Sequence, residues 1–223
     1  PSSQPNLHDS SAQSSEKAPQ ARPTASTATK CATRGSLRWR VIDIAVGAAV
    51  GVMSGVMFWV FDGLSYGLFP LLTLILPGSA ALLHALFYFP ATLGLLIVCK
   101  PGASAYVLLV ASFVEVVLGT KYSVSLVVIA LVQALAAEAV FAVFRYRRWT
   151  LGVTLLSAVA IGIVYNFYLL FFYYQAFSFF SPRGLIGMAC ELLSAVVFAG
   201  FGSWVLYRAL AKSGVLTRFA SGR

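Results

Sequence analysis

The sequence predicts an all-α membrane protein, a bundle of six transmembrane helices with the N and C termini in the cytoplasm. Three observations predict it: the composition, the spacing of the apolar runs, and the placement of the basic residues. Of 223 residues, 59% are apolar and 10% are charged, and the mean hydropathy is +0.84. Soluble chains carry about 25% charged residues. So little charge cannot cover a water-facing surface, and helices satisfy their backbone hydrogen bonds internally in lipid.

Composition divides the chain into three segments. Residues 1–38 are rich in Ser, Ala, Thr and Pro and lack apolar periodicity over most of their length. Such a segment buries too little apolar surface to fold, which predicts a disordered cytoplasmic head. Residues 39–212 hold the six-helix transmembrane domain, and residues 213–223 are expected to form a cytoplasmic tail.

The transmembrane domain contains apolar runs close to the roughly 20 residues that a helix needs to cross a bilayer. Sharp breaks separate them, including Pro101-Gly102, the basic run 145–148 and the Pro/Gly-containing run 181–184. The predicted spans are 41–61, 78–98, 103–119, 123–144, 150–174 and 183–208.

The segment 62–77 is the ambiguous part of this topology. Residues 62–98 form an apolar stretch of roughly 55 Å if helical throughout, too long for one ordinary crossing. Segment 62–77 is therefore either an extra membrane segment, giving seven spans, or an outer segment that folds over the bundle as a lid. With six spans, only Lys121 and Arg183 among the basic residues of the bundle lie outside, whereas seven spans would place the cluster 145–148 outside. The positive-inside rule favours six.

Polar side chains inside the spans are candidates for a binding site, because such groups are costly in lipid and usually face a bundle interior. Their positions along the helices place four of them in the outer half of the membrane, where they could converge on one cavity. Carboxylates and aromatic faces together suit a flat ring that is cationic or donates hydrogen bonds. The expected substrate-binding residues are Glu115, Gln133, Asn166, Glu191, Trp59, Tyr122, Tyr168 and His84.

Several of these residues have a second interpretation. Glu115 could instead be a structural partner, and His84 could be a packed, hydrogen-bonded histidine. Aromatic residues near the ends of spans also form interfacial belts. Glu138 lies nearer the inner side, where a structural or coupling role is at least as plausible as ligand contact.

The first span carries a face of small residues. Gly47, Gly51 and Gly55 recur every four residues, with Ala45 and Ala49 beside them. Residues four apart share one helix face, and small residues there allow another helix to approach closely. This face has two interpretations, tight packing within the chain or docking to a separate partner subunit.

Some function classes lack their sequence signatures. The net charge of +9 comes from 16 basic and 7 acidic residues, but the basic residues form short clusters between apolar runs, which is typical of topology signals. We therefore expect no nucleic-acid partner. The sequence contains neither a phosphate-binding loop nor an H-E-x-x-H motif. We expect no ATP hydrolysis by that route in this chain, no metal and no cofactor.

A family resemblance covers residues 39–210. It rests on four motifs in order. They are 39–44 (WRVIDI), then 87–91 with 100–103 (FYFPA and KPGA), then 113–115 with Leu118-Gly119 (FVE and LG), and last 133–138 with 144–149 (QALAAE and FRYRRW). Together they resemble the YkoE-type substrate-binding (S) components of energy-coupling factor (ECF) transporters. Two positions differ from the family pattern: Tyr122 stands where tryptophan is expected, and His84 where a small or amide residue is usual.

The resemblance implies a vitamin-binding subunit with multiple spans in a bacterial-type plasma membrane. Its implied ligand is thiamine or the hydroxymethylpyrimidine precursor of thiamine. It also implies docking through the small residues of the first helix to a transmembrane coupling subunit, with two cytosolic ATPases supplying the energy.

Three alternatives remain open at the sequence level. The chain could be an S component for another small vitamin-like ring compound. It could be an intramembrane enzyme that uses Glu115 and Glu191 as acid and base, which would turn over substrate without ATPases. It could also be an assembly subunit whose only function is its glycine face, which would bind partners but no ligand.

Overall fold

The computed structural model describes residues 38–120, 124–173, 175 and 178–213, and within these ranges the chain is helical with no strand. Five helices are long and apolar enough to cross a membrane, and the shorter apolar helix Ala103–Val117 is a sixth. The elements are α1 (Val41–Ile75), a 3₁₀ helix (Ser79–Phe87), α2 (Phe89–Val98), α3 (Ala103–Val117), α4 (Val124–Val143), α5 (Leu151–Phe172), α6 (Pro182–Ser194), a π-helical segment (Ala195–Gly202) and α7 (Ser203–Lys212).

The predicted all-α fold class is confirmed. The 3₁₀ helix and α2 together form the second span, and α6, the π-helical segment and α7 form the last. The cytoplasmic placement of both termini stays a prediction. The predicted head and tail lie almost entirely outside the described residues.

The first helix differs from its predicted bounds. It was expected to end at residue 61, but α1 continues to Ile75 and is 35 residues long, about 52 Å against a hydrocarbon core of about 30 Å. The predicted end of the first span at residue 61 is therefore wrong, and residues 62–75 continue the helix. The reason is physical: an apolar, almost uncharged segment at the membrane satisfies its backbone groups best by continuing the helix.

A tight turn connects α1 to the second span. Gly78 has a φ of +98°, and a Cβ there would lie 2.8 Å from the carbonyl oxygen of Arg183. Both facts require glycine at this position. The Ser79 hydroxyl donates to the carbonyl of Leu72 at 2.7 Å, which fastens the 3₁₀ helix to the end of α1.

The glycine face of α1 packs against α3 within this chain. A Cβ on Gly47 would lie 2.9 Å from the Tyr106 ring, and one on Gly55 would lie 2.5 Å from the carbonyl oxygen of Ala111. The three glycines therefore serve tight packing within the chain, the first of the two interpretations of this face. Ala45 and Ala49 are exposed, so a docking surface on α1 has to be built around them.

The last span contains eight residues of π-helix, Ala195–Gly202. The Thr92 hydroxyl donates to the carbonyl of Ala199 at 2.6 Å, which satisfies an acceptor in this segment from α2. π-Helical turns occur frequently at functional sites. Here the segment begins four residues after Glu191, on the helix that carries this carboxylate into the bundle.

Candidate ligand-binding cavity

A cavity of about 250 Å³ lies among α1, the 3₁₀ helix, α3, α4 and α5. Its wall combines polar side chains with aromatic rings, the composition expected of a small-molecule site. The polar residues on the wall are Asp62, Ser65, His84, Ser112, Glu115 and Gln133, and the aromatic ones besides His84 are Phe58, Phe69, Phe87, Tyr165 and Tyr173.

Two carboxylates face this cavity from different helices. Asp62 comes from α1 and Glu115 from α3, and both are buried in the protein. Both therefore face the same ligand space. Among the residues that the structure describes on this wall none is Lys or Arg, so these residues favour a cation or a group rich in hydrogen-bond donors.

Gln133 on α4 supplies an amide to the same cavity. Its side chain is 2% exposed, and its Nε2 has no hydrogen-bond partner within the described part of the chain. A buried donor left unpaired costs about 1–3 kcal/mol. An acceptor on a ligand, such as a ring nitrogen, would remove that cost by accepting a hydrogen bond from Nε2.

His84 reaches the cavity from the 3₁₀ helix. Its Nδ1 lies 2.5 Å from Oε2 of Glu191, and the Tyr88 hydroxyl donates to Oε1 of the same carboxylate at 2.8 Å. Glu191 is 0% exposed and does not line the cavity. The structure therefore places this predicted site residue behind the wall, connected to the cavity through His84.

The remaining predicted residues lie elsewhere. Asn166 lines a neighbouring cavity of about 120 Å³, which also contacts His84 and Arg183. Trp59 is 45% exposed and lines a separate, open groove. Tyr168 packs against Phe172 and is absent from the cavity wall, and Tyr122 lies outside the described residues. Of the predicted set, the structure thus brings Glu115, Gln133 and His84 together.

Sequence reasoning left several wall residues out of the binding set. Asp62 is one of them, and it lies in the segment 62–77 that the sequence left ambiguous. Helical periodicity could have assigned Asp62 to the cavity. Phe58 and Asp62 are four residues apart, which places them on one face of a continuous helix. Ser112 and Glu115 are related in the same way on α3, three residues apart.

Glu138 has a structural role near the end of α4. Its Oε1 accepts from the backbone N–H of Ser104 at 3.0 Å, and its Oε2 accepts from the Tyr146 hydroxyl at 2.6 Å. The carboxylate therefore joins α4 to the first turn of α3 and to the connection between α4 and α5. Burial and the hydrogen bond to Glu138 raise the pKa of Tyr146 above its usual range.

The arrangement is suited to binding. Within residues 38–120, 124–173, 175 and 178–213, no three His, Cys, Asp or Glu side chains are grouped as metal ligands. The acid–base pair of the enzyme hypothesis is not assembled at the cavity either, since Glu115 lies on the wall and Glu191 lies behind it. The wall instead offers carboxylates, an amide and a histidine around an enclosed space.

Comparison with known structures defines the class of protein. A crystal structure described as an S component of an ECF transporter superimposes with a TM-score of 0.74 at 26% identity, covering 83% of this chain and 92% of that one. The fold is that of an ECF S component, and the chain is a multi-pass plasma-membrane protein that acts as a transport subunit and not as an enzyme.

Sequence comparison gives the family. Residues 42–164 match the family described as "ABC-type cobalt transport system, permease component", and the chain belongs to this family. A relative from Bacillus subtilis (strain 168), the "Putative HMP/thiamine permease protein YkoE", is 29% identical over 142 residues, which are 63% of this chain and 70% of the relative. The predicted resemblance to YkoE-type S components is confirmed.

Proposed function

We propose that this chain binds thiamine or its hydroxymethylpyrimidine precursor from the outer side of the membrane, as the substrate-binding subunit of an ATP-driven importer. The observation that carries the proposal is the cavity in which Glu115, Asp62 and the unpaired amide of Gln133 meet. These groups are acceptors and a donor held at fixed positions on the wall of one cavity.

An aminopyrimidine ring complements this wall. Its exocyclic amino group donates to a carboxylate, and its ring nitrogens accept from an amide. Glu115 and Gln133 provide these two partners from α3 and α4. Phe58, Phe87 and Tyr165 provide aromatic surface for the ring. The volume of about 250 Å³ is just below the roughly 300 Å³ at which typical ligand pockets begin, which favours a compact, single-ring ligand.

The printed name of the Bacillus subtilis relative, a putative permease for HMP and thiamine, supports the same assignment. The description of the matched family names cobalt. Aromatic rings and a free amide donor on the cavity wall favour an organic ring over a bare metal ion.

Transport requires partners, and we include them in the proposal. A transmembrane coupling subunit would dock on the inner half of α1, where Ala45 and Ala49 are exposed beside Val52 and Met53. Two cytosolic ATPases would then drive release of the ligand. Small side chains on this surface would let a partner helix approach closely.

A ligand panel on the purified chain tests the proposal. Thermal unfolding is followed with thiamine, hydroxymethylpyrimidine and unrelated vitamins, each over a range of concentrations. A ligand that binds only the folded state raises the midpoint in proportion to the logarithm of its concentration. The proposal predicts this for thiamine or hydroxymethylpyrimidine. Stabilisation by a different ring compound, and by neither of these two, would identify the chain as an S component for another vitamin-like ligand.

A further inference from the structure

The carboxylate of Glu191 has a defined hydrogen-bond pattern that the proposed function leaves unused. Its two oxygens accept from two donors, Nδ1 of His84 at 2.5 Å and the hydroxyl of Tyr88 at 2.8 Å. Glu191 and Tyr88 are both 0% exposed. Tyr165 packs edge-on against both rings, with centroid distances of 5.4 Å to His84 and 5.8 Å to Tyr88. The imidazole is therefore fixed in orientation.

With Glu191 ionised and His84 neutral, this pattern places the imidazole proton on Nδ1. An ionised carboxylate only accepts hydrogen bonds, so Nδ1 must be the donor. In a neutral imidazole the other nitrogen, Nε2, is then an acceptor. His84 lines the cavity and is held to Glu191 through Nδ1, so Nε2 is the ring nitrogen that is left for a ligand.

We propose that Glu191 and Tyr88 hold His84 as a hydrogen-bond acceptor toward the cavity, so that His84 selects ligands carrying a donor O–H or N–H at that position. His84 is the specificity-determining residue, and Glu191 and Tyr88 are positioning residues that act through it. The inference rests on the proposed function, because it assigns the hydroxyl of hydroxymethylpyrimidine to His84.

The charged groups around the cavity fit the same ligand class. Asp62 from α1 and Glu115 from α3 are also acceptors when ionised. With His84, three acceptors from three elements line one small space, together with the unpaired amide donor of Gln133. This wall favours a ligand that presents donors at two different points of its ring. An amino group and a hydroxymethyl group meet that requirement.

The test compares hydroxymethylpyrimidine with the analogue in which a formyl group replaces the hydroxymethyl group. The formyl oxygen only accepts, so it cannot pair with an Nε2 acceptor. Wild-type protein should prefer the hydroxymethyl compound by about tenfold or more in Kd, the effect of an unmade buried hydrogen bond. Glu191→Gln should reduce or reverse this ratio. In this variant the Tyr88 hydroxyl donates to the amide oxygen of the introduced glutamine. The amide NH₂ then donates to Nδ1 of His84, so the imidazole proton moves to Nε2.

The double variant Glu191→Gln with Tyr88→Phe provides a rescue. Without the Tyr88 hydroxyl, the amide is free to rotate and present its oxygen to Nδ1–H, so the preference for the hydroxymethyl compound should return. A loss of packing alone would not be reversed by a second substitution. Thermal unfolding without ligand checks that each variant is folded.

Nitrogen NMR of labelled His84 gives an independent readout. It should show a proton on Nδ1 and none on Nε2 in the wild type, and the opposite in Glu191→Gln. A proton on Nε2 in the wild type, or a folded Glu191→Gln variant with an unchanged ligand ratio, would overturn the inference. If neither compound binds the wild type, the proposed function fails, while the NMR result still decides the state of His84.

Discussion

Asp62 on α1 and Glu115 on α3 present their carboxylates to the same cavity of about 250 Å³. Asp62 lies just beyond residue 61, where the sequence predicted that the first span ends, so the continuation of α1 is what brings it to the site. Asp62 also lines the open groove that contains Trp59, and its Oδ2 accepts from the Thr120 hydroxyl at 3.5 Å. It therefore stands at the boundary between the groove and the cavity.

Asp62→Asn should weaken the binding of thiamine more than that of hydroxymethylpyrimidine. Thiamine carries a permanent positive charge, and loss of one buried charge partner typically costs 2–5 kcal/mol, so its Kd should rise at least about tenfold. Calorimetric titration measures the two affinities, and thermal unfolding checks that the variant is folded. Equal losses for both ligands would contradict a charge-specific role.

Gln133→Leu should separate stability from binding. It replaces a buried, unpaired amide with an apolar side chain of similar size, so the ligand-free protein should be as stable as the wild type or more so. The ligand loses its hydrogen bond from the Gln133 amide, and its Kd should rise by roughly tenfold to a hundredfold. A stable variant with wild-type affinity would exclude Gln133 from the site.

The sequence predicts much of this cavity, but not all of it. Depth along the spans correctly grouped Glu115 with Gln133, since both follow from counting residues along a helix. Depth says nothing about the direction in which a side chain points, and successive helix residues are rotated by about 100°. Glu191 lies at a suitable depth, yet its helix turns it toward Tyr88 behind the wall. Only the packing of α6 against the 3₁₀ helix determines that.

Gly55→Ala and Gly63→Ala form a matched pair on α1. A Cβ on Gly55 would lie 2.5 Å from the carbonyl oxygen of Ala111, whereas one on Gly63 meets nothing within 4 Å. Gly55→Ala should therefore destabilise the protein by about 1–3 kcal/mol through forced separation of α1 and α3. Gly63→Ala should be neutral or stabilising by up to about 1 kcal/mol. Thermal unfolding of both variants checks this. Equal behaviour would mean that the glycine face does not pack on α3.

Ala49→Trp should disrupt docking of the coupling subunit without changing ligand affinity. Ala49 is exposed on α1, so a large side chain there blocks close approach of a partner helix while leaving the cavity intact. Leu135→Trp, at an exposed position of α4, is the matched control for an added indole in the membrane. Copurification with the coupling subunit is measured alongside ligand titration. Loss of the complex in both variants, or in neither, would argue against this surface.

The central claim is that Glu115 binds the ligand in a cavity built for an aminopyrimidine. Isothermal titration of hydroxymethylpyrimidine into wild-type protein, Glu115→Gln and the control Asp43→Asn tests it most directly. Asp43 accepts from the backbone N–H of Arg40 at the start of α1, far along the helix from the cavity. We predict saturable binding to the wild type and to Asp43→Asn, and an affinity reduced at least about tenfold in Glu115→Gln. Unchanged affinity in folded Glu115→Gln, or no binding to the wild type, would contradict the account.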